Sequence, residues 1–275
     1  MKGKIVLITG STDGIGKHTA TELIRMGAEV ITHGRNKHRG KETAELMGKY
    51  SGNGVPEYVN ADLSSLSRVK SLAATIHSKY DHIDVLINNA GIFSREQTFT
   101  PDGIETTFAV NHLAHFSLSL QLLPLLLKSE QGRIITVSSM VHKNSPRISF
   151  DDLQEINSYM DYSAYALSKL ANVLFSVELA QKLHDTNVTS NSLHPGVINT
   201  KLLKAGFGLS GDPVEEGSQT SVYLASADIV SDISGKYFVN SREVEASPYA
   251  YNPGLRKNLW KLSEELCELK FTDFM

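Results

Sequence analysis

Two hydrophobic periods alternate along this chain. Short, nearly unbroken apolar runs recur at Lys4–Thr9, Gly27–His33, Val55–Asn60, Ile83–Ile87, Gly132–Ser139, Asn187–Leu193 and Lys236–Val239. Runs without polar alternation suit strands covered on both faces, as in a parallel sheet. Between them lie segments at helical spacing. Ala20, Leu23, Ile24 and Met26 follow the first run; Gly103–Leu127, Tyr162–Leu183 and Leu255–Leu269 are longer. This alternation predicts an α/β fold, a doubly wound parallel sheet of about seven strands in a single domain spanning residues 1–275.

Two stretches break the pattern. Met140 to Tyr159 has no clear period and reads as an irregular insertion at about 140–160. Residues 200–217, with three glycines between Ala205 and Gly211, read as a mobile lid over substrate. Leu118, Leu122, Leu123, Leu126 and Leu127 recur at helical spacing and predict core or a subunit interface.

Composition narrows the function classes. Apolar residues make up 41% and charged residues 21% of 275, which is ordinary for a globular protein with a sizeable core. A net charge of −3 draws the chain neither to nucleic acid nor to anionic lipid. Cys267 is the single cysteine, which excludes an internal disulfide and a cysteine metal cluster. The chain enters a strand directly after Met1, so no targeting peptide is expected. The apolar run Leu118–Leu127 is too short to span a bilayer, so no integral membrane segment is expected. A reducing, cytoplasmic location follows as the expectation.

The first chemical motif is Thr9-Gly10-Ser11-Thr12-Asp13-Gly14-Ile15-Gly16, between the first strand and the first helix. Strand, glycine turn and helix are the context a dinucleotide-phosphate site requires. Gly10 permits a sharp turn. Gly14 and Gly16 let backbone approach a pyrophosphate and helix approach strand, with helix N-terminal amides facing the anion. After the second strand comes Gly34-Arg35-Asn36-Lys37-His38-Arg39, with no carboxylate for a ribose diol. Arg35 could stack on adenine and contact a 2′-phosphate, which favours NADP(H) and leaves NAD(H) possible. Asp13 counts the other way, and Lys37 and Arg39 read as the start of a solvated helix. Asp62-Leu63, after the third strand, could receive the adenine amino group, cap a helix near Ser64 or Ser65, or do both.

Later strand ends carry further candidates. Asn88-Asn89-Ala90-Gly91 offers small residues against which a cofactor can lie, with Asn88 expected to tie strands together. Asn111, a poor helix former, sits inside a helical region and suggests a kink or a water site; a solvated face is the alternative. Ser138-Ser139 ends the fifth strand, where one hydroxyl could bond a substrate oxygen. Tyr165 and Lys169, four apart on one helix face, pair a phenol with an ammonium that favours phenolate. A free tyrosine titrates near about 10, too high for proton exchange at neutral pH, and Lys169 would correct that mismatch. His194-Pro195-Gly196-Val197 and Thr200 follow the sixth strand.

Taken together, Thr9-Gly-x-x-x-Gly-Ile-Gly16, Asn88-Asn-Ala-Gly91, Asn111, Ser138-Ser139, Tyr165-x-x-x-Lys169 and Pro195-Gly196 resemble the short-chain dehydrogenase/reductase family, a Rossmann-type fold. Gly14-Ile-Gly-Lys17, Arg35, Ser168-Lys-Leu-Ala-Asn172 and Leu259-Trp-x-x-Ser263 resemble its retinol-dehydrogenase-like branch. The resemblance implies an oxidoreductase acting on small carbonyl or alcohol substrates, which the apolar lid residues suggest are lipophilic. Tyr165 would be the general acid in reduction and the base in oxidation. Lys169 would lower its pKa and hold the nicotinamide ribose. Ser139, rather than Ser138, would fix the substrate oxygen, and Asn111 would seat a relay water. Tyr159 and Tyr162 lack a lysine four residues on. The resemblance also implies a homodimer or homotetramer, built by four-helix association through Gly103–Leu127 and Tyr162–Leu183. The competing reading is a non-catalytic dinucleotide-binding sensor or scaffold. A further rival, the larger epimerase/dehydratase relatives, differs in glycine spacing.

Overall fold

The computed structural model describes residues 1–52, 54–145 and 160–275. One eight-stranded sheet runs through it in the order β3-β2-β1-β4-β5-β6-β7-β8. The strands are β1 Ile5–Ile8, β2 Glu29–Gly34, β3 Tyr58–Asn60, β4 Val85–Asn88, β5 Gly132–Val137, β6 Val188–His194, β7 Tyr237–Val239 and β8 Arg242–Val244. The first seven are parallel; β8 pairs antiparallel with β7. Strand order reverses between β1 and β4, and the crevice above such a reversal is where ligands bind in open α/β sheets.

Helices cover both faces. They are α1 Gly14–Arg25, α2 Lys37–Gly48, α3 Leu66–Lys79, α4 Thr106–Phe108, α5 Ala114–Leu126, α6 Asp161–Lys182, α7 Lys201–Phe207, α8 Val214–Ser226 and α9 Pro253–Cys267. The period of two in a strand explains why β1 reads as one apolar run. Leu7 points into the core made with α3, α5, α6 and α9, while Val6 and Ile8 point into the core made with α1 and α8.

The eighth strand escapes a hydrophobic reading because its three residues are exposed. It folds back through Asn240 and Ser241, both at positive φ, a two-residue turn whose twist suits a hairpin. β3 is shorter than the run Val55–Asn60, since Pro56 cannot donate to a ladder. The region Gly103–Leu127 is not one helix. A π-helical turn, Ala109–Leu113, separates α4 from α5, and Asn111 lies at its centre, as a kink residue would.

The stretch expected to be a lid over substrate has regular structure and lines the groove. It contains α7, an extended bridge from Ile198 to Asp212, and the start of α8. Its glycines serve close packing: a Cβ at Gly206 would lie 2.7 Å from the Phe93 ring, and one at Gly211 2.2 Å from the Val197 carbonyl oxygen. Of the insertion expected at 140–160, Met140–Asn144 forms a 3₁₀ turn; residues 146–159, including Tyr159, lie outside the described residues.

Helix α9 lies against α6. Trp260 stacks on Phe175 at 6.1 Å and meets Phe116 edge-on at 5.0 Å. Arg256 pairs with Glu178 at 3.0 Å, both side chains almost fully buried. Every residue of α5 except Pro124 is buried within this single chain. Part of α6, and Phe116 of α5, thus pack against the chain's own C-terminal helix.

This packing predicts that Trp260→Ala destabilises the fold by about 3–5 kcal/mol, the usual cost of truncating a buried aromatic. Chemical denaturation measures it, and a loss below about 1 kcal/mol would mean that α9 is not part of the core.

Candidate active site

A groove of about 1070 Å³ opens at the carboxyl edge of the sheet, above the reversal between β1 and β4. It is lined by Gly10, Thr12, Asp13, Gly14, Ile15 and Gly16 from the first turn, and by Arg35, Asp62, Leu63, Asn89, Ala90 and Gly91 from the next strand ends. Ser139, Tyr165, Lys169, Pro195, Gly196, Val197 and Thr200 complete it. The fold thus gathers nearly all the residues singled out in the sequence.

The glycine turn is shaped by contacts that no side chain would allow. Gly10 has φ +64°, and a Cβ there would lie 2.9 Å from Ala90 Cα. A Cβ on Gly16 would lie 2.4 Å from the Gly10 carbonyl oxygen. Asn89 locks this contact by donating from Nδ2 to the carbonyls of Thr9 (2.8 Å) and Gly10 (3.2 Å). Thr9 Oγ1 accepts from the Asn89 and Ala90 amides. A bare backbone cradle at a helix N-terminus, with a groove of this size, fits a dinucleotide.

At the groove's inner end, Tyr165 is 6% exposed, with Ser139 beside it in the groove wall. Lys169 is 2% exposed; Nζ donates to the Val137 carbonyl (3.1 Å) and lies 5.6 Å from the Tyr165 ring centre. Burial pushes the Tyr165 hydroxyl up, and the neighbouring Ser139 hydroxyl opposes it. Burial also brings Lys169 down to about 8. The expected lowering of Tyr165 by Lys169 is therefore not the dominant effect here; desolvation of the phenol outweighs it. Ser138 does pack into the sheet, donating to the Lys169 carbonyl at 2.7 Å. Tyr162 also lines the groove, accepting from Asn144 at 3.0 Å and meeting Phe207 edge-on at 6.0 Å. Phe93 and Phe207 approach the Tyr165 ring at 5.3 and 5.9 Å.

Two expected site residues do not line the groove. Ser11 is fully buried, donating to the Ile8 carbonyl (3.0 Å) and accepting from the His33 amide (2.9 Å); it stitches β1 to β2. Asn111 is also fully buried. Its Oδ1 accepts from the Ile92 amide (2.8 Å), and its Nδ2 donates to the Ile92 carbonyl and to Ser168 Oγ, both at 3.0 Å. The bonds of the side chain are all to protein groups. It clamps the loop after Gly91 to the turn bearing Tyr165, since Ser168 in turn donates to the Tyr165 carbonyl. The Asn111 carbonyl accepts from His115 Nδ1 at 3.0 Å.

Asp62 makes a local turn by accepting from the Ser64 amide at 3.0 Å, and it also lines the groove. Asn88 ties elements together by donating to Ser119 at 2.8 Å. Thr200 caps α7, accepting from the Leu203 amide at 3.1 Å.

Sequence reading missed two residues. His33 accepts from the Gly10 amide at Nδ1 (3.2 Å), so its Nε2 carries the proton toward the Ala61 carbonyl (3.2 Å). Burial holds it down to about 4, hence neutral. Arg39, taken for a solvated residue, reaches back across the groove to Asp13 at 3.3 Å. Lys201 approaches the same carboxylate from α7. The Lys201 bond holds the Asp13 carboxyl below its ordinary value, helped by the Gly14 amide that Asp13 caps. The acid in the glycine loop is thus already countered by two cations.

Comparison with known proteins places this geometry. Residues 4–207 match the family model described as short chain dehydrogenase. The chain is 42% identical to retinol dehydrogenase 14 of Homo sapiens, over 98% of this chain and 88% of that protein. It is 38% identical to human retinol dehydrogenase 13, over 98% and 86%. Among solved structures, an uncharacterized protein from Mycobacterium paratuberculosis superposes with a TM-score of 0.82 at 34% identity, covering 98% of this chain and 95% of the other. A short chain dehydrogenase of Escherichia coli CFT073 complexed with NADPH superposes at 0.74 and 26% identity, covering 88% and 98%. The protein belongs to the short-chain dehydrogenase family of NAD(P)(H)-binding oxidoreductases, in its retinol-dehydrogenase-like branch.

Proposed function

We propose that this protein is an NADP(H)-dependent oxidoreductase that interconverts a lipophilic carbonyl compound and its alcohol, with Tyr165 as the proton donor and acceptor. The observation that carries this reading is the meeting of Tyr165, Ser139 and Lys169 at the inner end of a groove built on bare glycine backbone. Nicotinamide supplies the hydride in reduction and accepts it in oxidation. In reduction the Tyr165 hydroxyl gives its proton to the carbonyl oxygen; in oxidation its phenolate takes the proton from the alcohol. Ser139 holds that oxygen beside Tyr165. The Lys169 ammonium stabilises the phenolate whenever it forms.

The NADP(H) preference rests on Arg35 and Arg39 lining the groove near the end of β2, with no carboxylate there. Asp13 is occupied by Arg39 and Lys201, so it adds little repulsion toward a phosphate. The apolar substrate class is supported by Phe93 and Phe207 beside Tyr165, and by Met140, Leu203 and Leu209 in the groove wall. The names of the relatives, retinol dehydrogenases and a human polyprenol dehydrogenase, point the same way.

Three outcomes follow. Tyr165→Phe should lower turnover by roughly 10²–10⁴-fold, the range for removing a positioned acid, while NADPH titration by fluorescence changes little; undiminished turnover would defeat the assignment. Arg35→Ala should weaken NADPH more than NADH, whereas Asp13→Asn, which keeps the helix cap and frees two cations, should tighten NADPH by about two- to fivefold. Equal changes for both cofactors would overturn the preference. Reductive turnover should hold at neutral pH, where Tyr165 is protonated and Lys169 charged, and decline as pH rises through about 8. A rate flat to pH 10 would mean that the Lys169 charge is not used. Carbonyl compounds assayed with NADPH separate this reading from a non-catalytic sensor, which would bind NADPH and oxidise none.

A further inference from the structure

We propose that His142 is a positioning residue for the proton-transfer site: its imidazole ties the backbone of Ser139 to the C-terminal segment at Ser247, and so fixes where Ser139 meets Tyr165. The inference rests on the oxidoreductase reading of Tyr165 and Ser139.

The geometry permits one tautomer. The Ser247 amide can only donate, and it lies 3.0 Å from His142 Nε2, so that nitrogen accepts. The proton is therefore on Nδ1, which donates to the Ser139 carbonyl at 2.7 Å. His142 is fully buried. Its neighbours are the Tyr237 ring, edge-on at 4.6 Å, and two other basic groups, His194 and Lys143. Burial first, and Lys143 to a smaller degree, hold the imidazole down to about 4, so the single neutral tautomer persists through the physiological range.

The local fold explains how one side chain spans this gap. Ser139 caps the 3₁₀ turn Met140–Asn144, its hydroxyl accepting from the Val141 amide at 3.4 Å. His142 stands three residues later, so its ring folds back over the turn's first carbonyl. At the far side, Ser247 is buried and precedes the turn Pro248–Tyr251, which runs into α9. That helix is fixed to α6 through Arg256 and Glu178. The serine beside the reactive phenol is thus braced against the most deeply packed part of the chain, and each hydrogen bond in the path has one direction.

A buried histidine that only fills space would affect stability alone. A positioning histidine also affects the Tyr165 hydroxyl, because Ser139 lies with Tyr165 in the groove wall and its hydroxyl opposes the rise that burial imposes. In oxidation the active form is phenolate, so a misplaced Ser139 moves the pH profile toward higher pH. The test uses the full-length enzyme with an alcohol substrate and NADP⁺, reading kcat, KM, the pH profile and the melting temperature.

His142→Leu removes both hydrogen bonds and should lower kcat on the order of 10- to 100-fold, with KM for NADP⁺ unchanged and the profile displaced upward in pH. His142→Asn keeps a donor where Nδ1 stood and should restore kcat to within about threefold, with a lower melting temperature. Should the leucine variant not fold, Ser247→Pro serves instead. Ser247 has φ −57°, which proline adopts, and the change deletes the amide that locks the tautomer. It should displace the pH profile in the same direction.

Variants that melt lower but keep the wild-type kcat and pH profile would overturn the positioning role. So would asparagine and leucine variants with equal loss of kcat. Wild-type enzyme inert toward every carbonyl and alcohol tried would instead overturn the oxidoreductase reading, and the role of His142 with it.

Discussion

The contact between Gly10 and Ala90 is the constraint on which the groove depends. Two strand ends from opposite sides of the sheet reversal come so close that neither Gly10 nor Gly16 can carry a side chain. That closeness exposes main-chain amides where an anion would sit, and a larger residue would close the cradle. Asn89 and Thr9 hold the two ends together with four hydrogen bonds to backbone groups, so the contact does not rely on apolar packing at a polar ligand's door. A backbone site of this kind carries no side chains to rearrange, which is what preorganisation toward a phosphate requires.

Around that contact, the polar groups beneath the groove are buried and almost all carry directed partners. His33, His115 and His142 are each held neutral by burial; His33 and His142 each span two backbone segments, while His115 joins the Asn111 carbonyl to the Thr9 hydroxyl. Asn111 does the same between Ile92 and Ser168. A buried polar group without partners is costly, so each of these side chains admits few arrangements. The carboxyl edge of the sheet is in this way supported by hydrogen bonds whose direction is fixed, while the apolar cores lie above and below the sheet.

What could be read from the chain alone follows from how local its physical cause is. Seven strands, the glycine turn and the Tyr165–Lys169 spacing depend on neighbours a few residues away, and these were legible. The antiparallel β8 was not, because three exposed residues leave no apolar trace. Arg39 does begin an exposed helix, as read, but its ion pair was not legible, because Asp13 is 26 positions away and meets it only after α1 and β2 have folded back. Ser11 and Asn111 show the converse. Their presence beside the site was legible, but whether a side chain faces the groove or the interior depends on backbone direction at Gly10 and on the π-helical turn. The glycines of residues 206–211 suggested mobility, since a glycine freed for motion and a glycine demanded by Phe93 or Val197 look alike in a sequence.

Covering by α9 bears on the same question from the other side of the molecule. An apolar helix such as α5 predicts that something packs against it, without saying whether the partner is another chain or a later part of the same one. Here Trp260, Arg256 and Ser263 answer it. The indole stacks on Phe175, the guanidinium reaches Glu178, and the hydroxyl meets His112 at 2.9 Å. Arg256 also binds the Ala250 carbonyl at 3.2 Å, so the segment that carries Ser247 is fastened by the same residue that fastens α9. Helix α6, and hence Tyr165 and Lys169 upon it, is supported from within the chain by α9. Because α6 carries the reactive pair on its first turns and Glu178 on its last, fixing its far end also limits how its near end can move against Ser139.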